Sequence, residues 1–287
     1  MTATIVDGNA VSRHILGQLR ERIAALKARG VTPGLAVIMA GENPASKAYV
    51  SNKAKACAEA GLHSEIHALG GGSPERLLIE TLDALNRDPH IHGIIVQLPL
   101  PHGLNAERIT QAIAVEKDVD GFNWRNLGAL VSGHPSFVPC TPLGIMKLLD
   151  HAGAAVEGRH AVIVGRSNIV GKPLALLLIA RGATVTVCNS KTPDLGDVTK
   201  RADILIAAAG KPELIDAAMV KPGAVVIDVG INRLPQGGIV GDVAFAGVKE
   251  VASMITPVPG GVGPMTVAML IANTVTAAER AVTSCAA

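Results

Sequence analysis

Uninterrupted apolar runs of strand length recur along this chain, and helical stretches separate them. Leu35–Ala40, Gly93–Leu98, His160–Val164, Ile204–Ala208 and Val225–Val229 are almost wholly apolar. A strand without polar alternation is buried on both faces, which happens where helices cover a parallel sheet. The segments between the runs suit that role. Val11, Ile15, Leu19, Ile23 and Leu26 fall on one helix face, and Gly30 is a natural stop. Asn43-Pro44 supplies an N-cap and a first-turn proline for a helix that runs to Gly61. His63–Leu69 reads as a strand. Ser73-Pro74-Glu75 opens a helix with Leu77, Leu78, Leu82 and Leu85 expected inward, and Asn105–Val115 reads as a short helix. Thr141-Pro142 begins a helix through Leu149, and Thr184–Cys188 is a further strand. The expected class is α/β.

The sharpest single stretch is Gly165 to Pro173, G-R-S-N-I-V-G-K-P, between strand His160–Val164 and the apolar helix Pro173–Ala180. A glycine turn lets the backbone approach a ligand closely, and a helix N-terminus favours a phosphate. A tight turn with no ligand would use the same glycines. A dinucleotide fold usually carries an acid at the end of the next strand, where it binds the ribose 2′-hydroxyl. Here that position reads Cys188-Asn189-Ser190-Lys191-Thr192, without an acid. Lys191 and Arg166 favour a 2′-phosphate, hence NADP over NAD; the alternative is that both are solvated surface charges. The chain is therefore expected to form two α/β domains with a cleft between them, the second a Rossmann-type dinucleotide-binding domain. A length of 287 residues fits about two domains. The expected borders are 1–138, completed by a C-terminal helix over 265–287, and 139–264. The seam lies near Gly133–Cys140.

Charge and cysteine content narrow the class. The net charge is +2 and charged residues are scattered, so there is no electrostatic case for nucleic acid or an anionic membrane. Cys57, Cys140, Cys188 and Cys285 are far apart and form no C-x-x-C pair, which suits a reduced, cytoplasmic protein. The first ten residues lack a secretion pattern. The uncharged stretch Val251–Ala278 is broken by Pro257, Pro259 and Pro264, and its remainder is too short to span a bilayer. No metal site is expected: His63 and His67 share a strand face without a carboxylate companion, and His90 and His92 flank a turn.

A second group of residues belongs to the first half. Tyr49 and Lys53 are four apart on one helix, so they share a face at about 6 Å; a lysine stem packed on a ring would look the same. Gln97, within Val96-Gln97-Leu98-Pro99, sits at the C-terminal end of a strand, where open sheets bind ligands. Lys117-Asp118-Val119-Asp120-Gly121 places carboxylates in a tight turn, Asp118 reading as the turn organiser. Pro257 to Met265, P-V-P-G-G-V-G-P-M, is a stiff loop with exposed backbone donors.

Taken together these motifs resemble the bifunctional methylenetetrahydrofolate dehydrogenase/methenyltetrahydrofolate cyclohydrolases. The carriers span the chain in order: N-P-A-S-x-x-Y-V-x-x-K from Asn43 to Lys53, V-Q-L-P-L-P from Val96, K-D-V-D-G-F from Lys117, P-C-T-P-x-G from Pro139, the glycine turn, D-V-G-I-N from Asp228, G-D-V from Gly241, and P-V-P-G-G-V-G-P-M-T from Pro257. The resemblance implies that Tyr49 stacks on a folate and that Lys53 is catalytic with Gln97 as its partner. It implies that Asp120 grips the pterin's amino edge. It also implies that Val96, Leu98, Pro257, Pro259, Gly260 and Gly261 line the folate. Gly165, Arg166 and Ser167 would hold NADP phosphates, with Ser190 near the adenosine ribose and Ile231 beside the nicotinamide. The chain has Asn189 where the family often has His, and Val115 where it often has Pro.

The implied reactions are hydride transfer from 5,10-methylenetetrahydrofolate to NADP, then hydrolysis of the methenyl product to 10-formyltetrahydrofolate. A homodimer through a β-rich edge of the second domain is implied as well. Two alternatives compete. A shikimate- or amino-acid-type NADP dehydrogenase would want a Lys–Asp pair or carboxylate-binding arginines. A non-catalytic NADP sensor would have no use for Tyr49, Lys53, Gln97 and Asp120 together.

Overall fold

The structure, a computed structural model, describes residues 2–284, so Cys285 lies outside the described residues. The first elements are β1 (Thr4–Ile5), α1 (Gly8–Ala28), β2 (Gly34–Ala40), α2 (Pro44–Ala60), β3 (His63–Leu69), α3 (Glu75–Arg87), β4 (Gly93–Val96), α4 (Ala106–Gln111) and α5 (Trp124–Val131). There follow α6 (Cys140–His151), β5 (His160–Val164), α7 (Gly171–Ala180), β6 (Thr184–Cys188), α8 (Leu195–Thr199) and β7 (Ile204–Ala207). The last are β8 (Val225–Asp228), β9 (Asn232–Arg233), β10 (Ile239–Val240), α9 (Phe245–Val248), β11 (Met254–Ile255) and α10 (Val262–Ser284). The described residues form two compact units: 14–140 with 267–284, and 2–13 with 141–266.

The first of these units holds a parallel three-stranded sheet in the order β3-β2-β4. All seven residues of β2 and all four of β4 are buried, as expected of apolar strands in such a sheet. Leu78, Leu82 and Leu85 of α3 pack on Ile38, Ile94 and Ile109. Leu77 does not join them; it is 39% exposed. Residues 78, 82 and 85 repeat at helical spacing, and the neighbouring position turns about 100° away from that face. Helix α4 is shorter than expected: it ends at Gln111, and a separate 3-10 turn follows at Val115–Lys117. Gly30 and Gly61 both have positive φ after their helices, the backbone that glycine adopts without strain.

The other unit holds a parallel sheet in the order β1-β11-β8-β7-β5-β6. Its apolar runs fill a core with Val162, Leu205, Val226 and Ile255 fully buried. The chain leaves β5 for β6 on one side and returns as β7 on the other. The order therefore reverses around β5, and the loop after β5 lies where open α/β sheets bind ligands. Thr4–Ile5 pairs with Met254–Ile255, so the extreme N-terminus joins this sheet rather than the first unit expected over 1–138. A two-residue strand is too short to show any period. Helix α10 begins at Val262, three residues before the expected start.

Candidate active site

Helix α2 sets the first constellation. Asn43 Oδ1 accepts from the Ser46 amide at 3.4 Å, Pro44 opens the helix, and Tyr49 and Lys53 then share one face. Lys53 is only 6% exposed, with Nζ 3.2 Å from Gln97 Oε1 and 5.0 Å from the Tyr49 ring centroid. An ammonium over an aromatic face contributes about 1–2 kcal/mol when desolvated. Gln97 follows β4, and its Nε2 donates to Leu98 O at 2.8 Å. That bond orients the amide and leaves Oε1 toward the lysine. Val96 is buried before it, and Leu98-Pro99 is a cis peptide.

Asp120 is half-buried in the same unit. It acts electrostatically on both Tyr49 and Cys140. Burial first, then Asp120 and Cys140, push the Tyr49 phenol up to about 12, so it stays protonated at neutral pH. The fully buried Cys140 thiol is raised well above its ordinary value, chiefly by burial and then by Asp120, and is poorly suited to act as a nucleophile. Asp118 is 1% exposed and accepts from the Phe122 and Asn123 amides and from Asn126 Nδ2. It organises the turn that presents Asp120. Lys117 Nζ donates to Leu85 O and Asp88 O, which closes the end of α3 and takes no part in the cluster.

The other unit carries the glycine turn. Gly165 has φ +137°, and a Cβ there would stand 2.1 Å from Ala208 O. Gly171 is equally tight: its Cβ would stand 2.1 Å from Gly165 O. Ser167 Oγ accepts from the Val170 and Gly171 amides, which starts α7. Among the described residues the backbone N–H groups of Arg166 to Ile169 have no acceptor. They form a nest of donors before a helix N-terminus. Beside it lies a cavity of about 420 Å³, with Gly165–Ser167 and Asn189–Ser190 on one side and Ala208, Ala209 and Lys211 on the other. No carboxylate lines it. Lys191 does not line it either; its amide donates to Asn189 Oδ1 in a local turn.

Two residues here escaped the sequence reading. Lys211 supplies a second cation to the cavity that Arg166 lines, and neither is ion-paired among the described residues. Asp242, fully buried, accepts from the amides of Ala209, Gly210 and Lys211 at 2.6–2.9 Å and from Asn232 Nδ2 at 2.9 Å. Asp228 accepts from the amides of Gly230, Asp242 and Val243. Burial raises the Asp228 carboxyl to about 6 against those donors, which leaves it ionised at neutral pH. A Cβ at Gly241 would collide with the Asp228 carboxylate. The acid-glycine pattern of both motifs was the available signal for this clamp.

Pro257 to Gly261 also belongs to this unit, with Val258-Pro259 cis. The Asn9 amide donates to Gly260 O at 3.2 Å, and a Cβ at Gly8 would collide with Gly261 O. Ile231 is 53% exposed, its Cδ1 3.9 Å from the Cβ position of Gly263. The expected folate residues are thus divided: Tyr49, Lys53, Val96, Gln97, Leu98 and Asp120 belong to one unit, and Pro257, Pro259, Gly260 and Gly261 to the other.

The two strand histidines do have a carboxylate companion. Glu65 lies between them and meets His63 Nε2 at 2.8 Å and His67 Nε2 at 3.2 Å. Residues i, i+2 and i+4 of a strand share a face, which is why Glu65 joins them. The three do not make a metal site; among the described residues no group of three or more His, Cys, Asp or Glu is arranged to hold a metal ion. Nor is any described helix long and apolar enough to cross a membrane.

Residues 6–120 match the family model of the tetrahydrofolate dehydrogenase/cyclohydrolase catalytic domain, and residues 139–282 match that of its NAD(P)-binding domain. The bifunctional protein FolD of Bordetella bronchiseptica is 59% identical over 281 residues, covering 98% of this chain and 99% of that protein. The crystal structure of the bifunctional methylenetetrahydrofolate dehydrogenase/cyclohydrolase FolD from Campylobacter jejuni is 50% identical with TM-score 0.95, covering 97% of this chain and 99% of that one. The Trypanosoma brucei enzyme, complexed with NADP cofactor and an inhibitor, is 39% identical with TM-score 0.95, covering 98% and 99%.

Proposed function

Because this chain belongs to the tetrahydrofolate dehydrogenase/cyclohydrolase family, we propose that it oxidises 5,10-methylenetetrahydrofolate with NADP and hydrolyses the methenyl product to 10-formyltetrahydrofolate. The observation that carries this reading is the buried Lys53 ammonium, held by Gln97 and faced by the Tyr49 ring. The shikimate-type alternative wants a Lys–Asp pair or carboxylate-binding arginines, and Lys53 meets an amide instead.

The glycine turn fits a dinucleotide. It has free amides, two cations, no carboxylate, and no room for a Cβ at Gly165. NADP bound there supplies the hydride acceptor. Gly165, Arg166 and Ser167 would hold its phosphates, Ser190 would serve the adenosine ribose, and Ile231 would serve the nicotinamide. In the folate-binding unit the Tyr49 ring stacks on the substrate while its phenol stays neutral. Asp120 accepts from the amino edge of the pterin, a charge-assisted bond that fixes orientation. Loss of hydride leaves a methenyl cation on the substrate. With Lys53 neutral beside that cation, Nζ takes one proton from the attacking water and gives it to N5 as the C–N5 bond opens, while the hydroxyl's remaining proton leaves to solvent as the formyl C=O forms. Gln97 Oε1 keeps Nζ aimed. Val96, Leu98, Pro257, Pro259, Gly260 and Gly261 line the folate. The test is a coupled absorbance assay with purified chain: NADPH forms from methylenetetrahydrofolate, and the methenyl absorbance then decays. Absence of both signals would overturn the reading.

The cofactor preference follows from the cations. NADP is expected to bind about tenfold or more tightly than NAD, a gap of about 1.4 kcal/mol or more. Arg166→Ala should narrow that gap. An equilibrium titration in which NAD binds as tightly as NADP would contradict it.

A homodimer completes the proposal. Strand β6 is the sheet edge, and Val187 upon it and Ile179 on α7 are 39% and 57% exposed. An open edge with apolar side chains calls for cover. Sedimentation of the wild-type chain should give twice the chain mass, and Val187→Lys should shift it toward monomer. A wild-type monomer at micromolar concentration would contradict this. Buried free thiols at Cys57, Cys140 and Cys188 suit a reducing compartment, which supports a cytoplasmic enzyme feeding formyl transfer, as in purine biosynthesis.

A further inference from the structure

Asp120 stands between two sets of buried hydrogen bonds. Before it, Asp118 gathers two amides and Asn126. Around it the chain is tied from a distance. Asn273 of α10, 8% exposed, donates through Nδ2 to Val119 O at 2.8 Å and to Val138 O at 3.2 Å. Cys140 Sγ donates to the same Val119 carbonyl at 3.3 Å and lies 3.7 Å from Asn273 Nδ2. Gly121, with φ +71°, packs where a Cβ would stand 2.7 Å from Pro139 N and 2.8 Å from Val138 C. One amide group therefore staples residue 119 to residue 138, the two chain segments that meet at Gly121. Asp120 is the residue between the stapled carbonyl and that contact.

We propose that Asn273 is a positioning residue for Asp120: its amide fixes the Val119 and Val138 carbonyls and so aims the Asp120 carboxylate at the substrate. The proposal rests on the folate reading of the site. It singles out Asn273 because the task needs two N–H donors on one short, buried side chain. Leucine matches its size without donors, and an aspartate donates only while protonated. Neither change touches the nicotinamide cofactor's donors at Arg166–Ile169.

The experiment compares wild type, Asn273→Leu and Asn273→Asp in steady-state oxidation of methylenetetrahydrofolate, with NADP affinity measured by titration. Asn273→Leu should raise the folate KM by about tenfold or more, as expected for a lost pair of buried hydrogen bonds, with kcat and NADP affinity near wild type. Asn273→Asp should bind folate at low pH with an affinity between those of wild type and Asn273→Leu, because a protonated carboxyl offers one donor to two carbonyls. It should lose affinity as pH rises and the new carboxyl ionises against two carbonyl oxygens, a dependence absent from wild type and from Asn273→Leu. An active wild type with unchanged folate KM in Asn273→Leu, or a flat pH profile in Asn273→Asp, overturns the proposal and leaves the folate reading standing. If neither variant folds, the amide is a core element and the proposal is overturned as well. A wild type without folate turnover removes the folate reading, and the proposal with it.

Discussion

Lys53→Met should abolish hydrolysis of methenyltetrahydrofolate, a fall of about 10³-fold or more, while NADP affinity stays at the wild-type level. The substitution keeps the unbranched stem that fills a 6%-exposed position and removes only the charged tip. Gln97 Oε1 loses its donor, and Tyr49 loses the cation over its ring. An orphaned buried acceptor costs about 1–3 kcal/mol, offset in part because a buried charge is removed too. The fold should therefore survive, and the defect should be chemical. The cofactor donors at Arg166–Ile169 belong to the other unit and are untouched. Hydrolysis of methenyl-folate at more than about a tenth of the wild-type rate would remove Lys53 from the proton-transfer step.

Gly165→Ala should act at the other end of the chemistry. The new methyl would stand 2.1 Å from Ala208 O, on a backbone at φ +137° that side chains rarely adopt. Overpacking and backbone strain each cost about 1–3 kcal/mol. Ala208 cannot step aside easily, because Asp242 ties the next three amides. We expect NADP affinity to fall roughly 100-fold, about 2.7 kcal/mol, with a lowered unfolding midpoint. Titration and thermal unfolding read the two effects separately. Wild-type values for both would mean that the turn has slack and is not a close-approach cradle.

Much of this arrangement was legible from the residues. Strand β2 declared itself because the six-residue apolar run Leu35–Ala40 has few other uses in a chain of this kind. Tyr49 and Lys53 were placed by helical spacing alone, and Gln97 by its position after a buried strand. Other features carried no local signal. Thr4–Ile5 is a strand only because β11 lies beside it. Lys211 became a candidate once the sheet order put the loop after β7 across from the glycine turn. Asn273 is one polar residue in an apolar helix, and its partners lie over a hundred residues earlier. Leu77 and Glu65 are different: strict helical and strand periods, applied residue by residue, would have turned the first outward and set the second beside its histidines.

This chain moves a hydride from the one-carbon bridge of a folate to NADP. Substrate deuterated at both methylene positions tests it directly. One turnover should leave one deuterium in the methenyl product and deliver the other to C4 of NADPH, detected by mass spectrometry of the purified nucleotide. NADPH formed without deuterium, or no NADPH at all, would rule out direct hydride transfer from the one-carbon bridge.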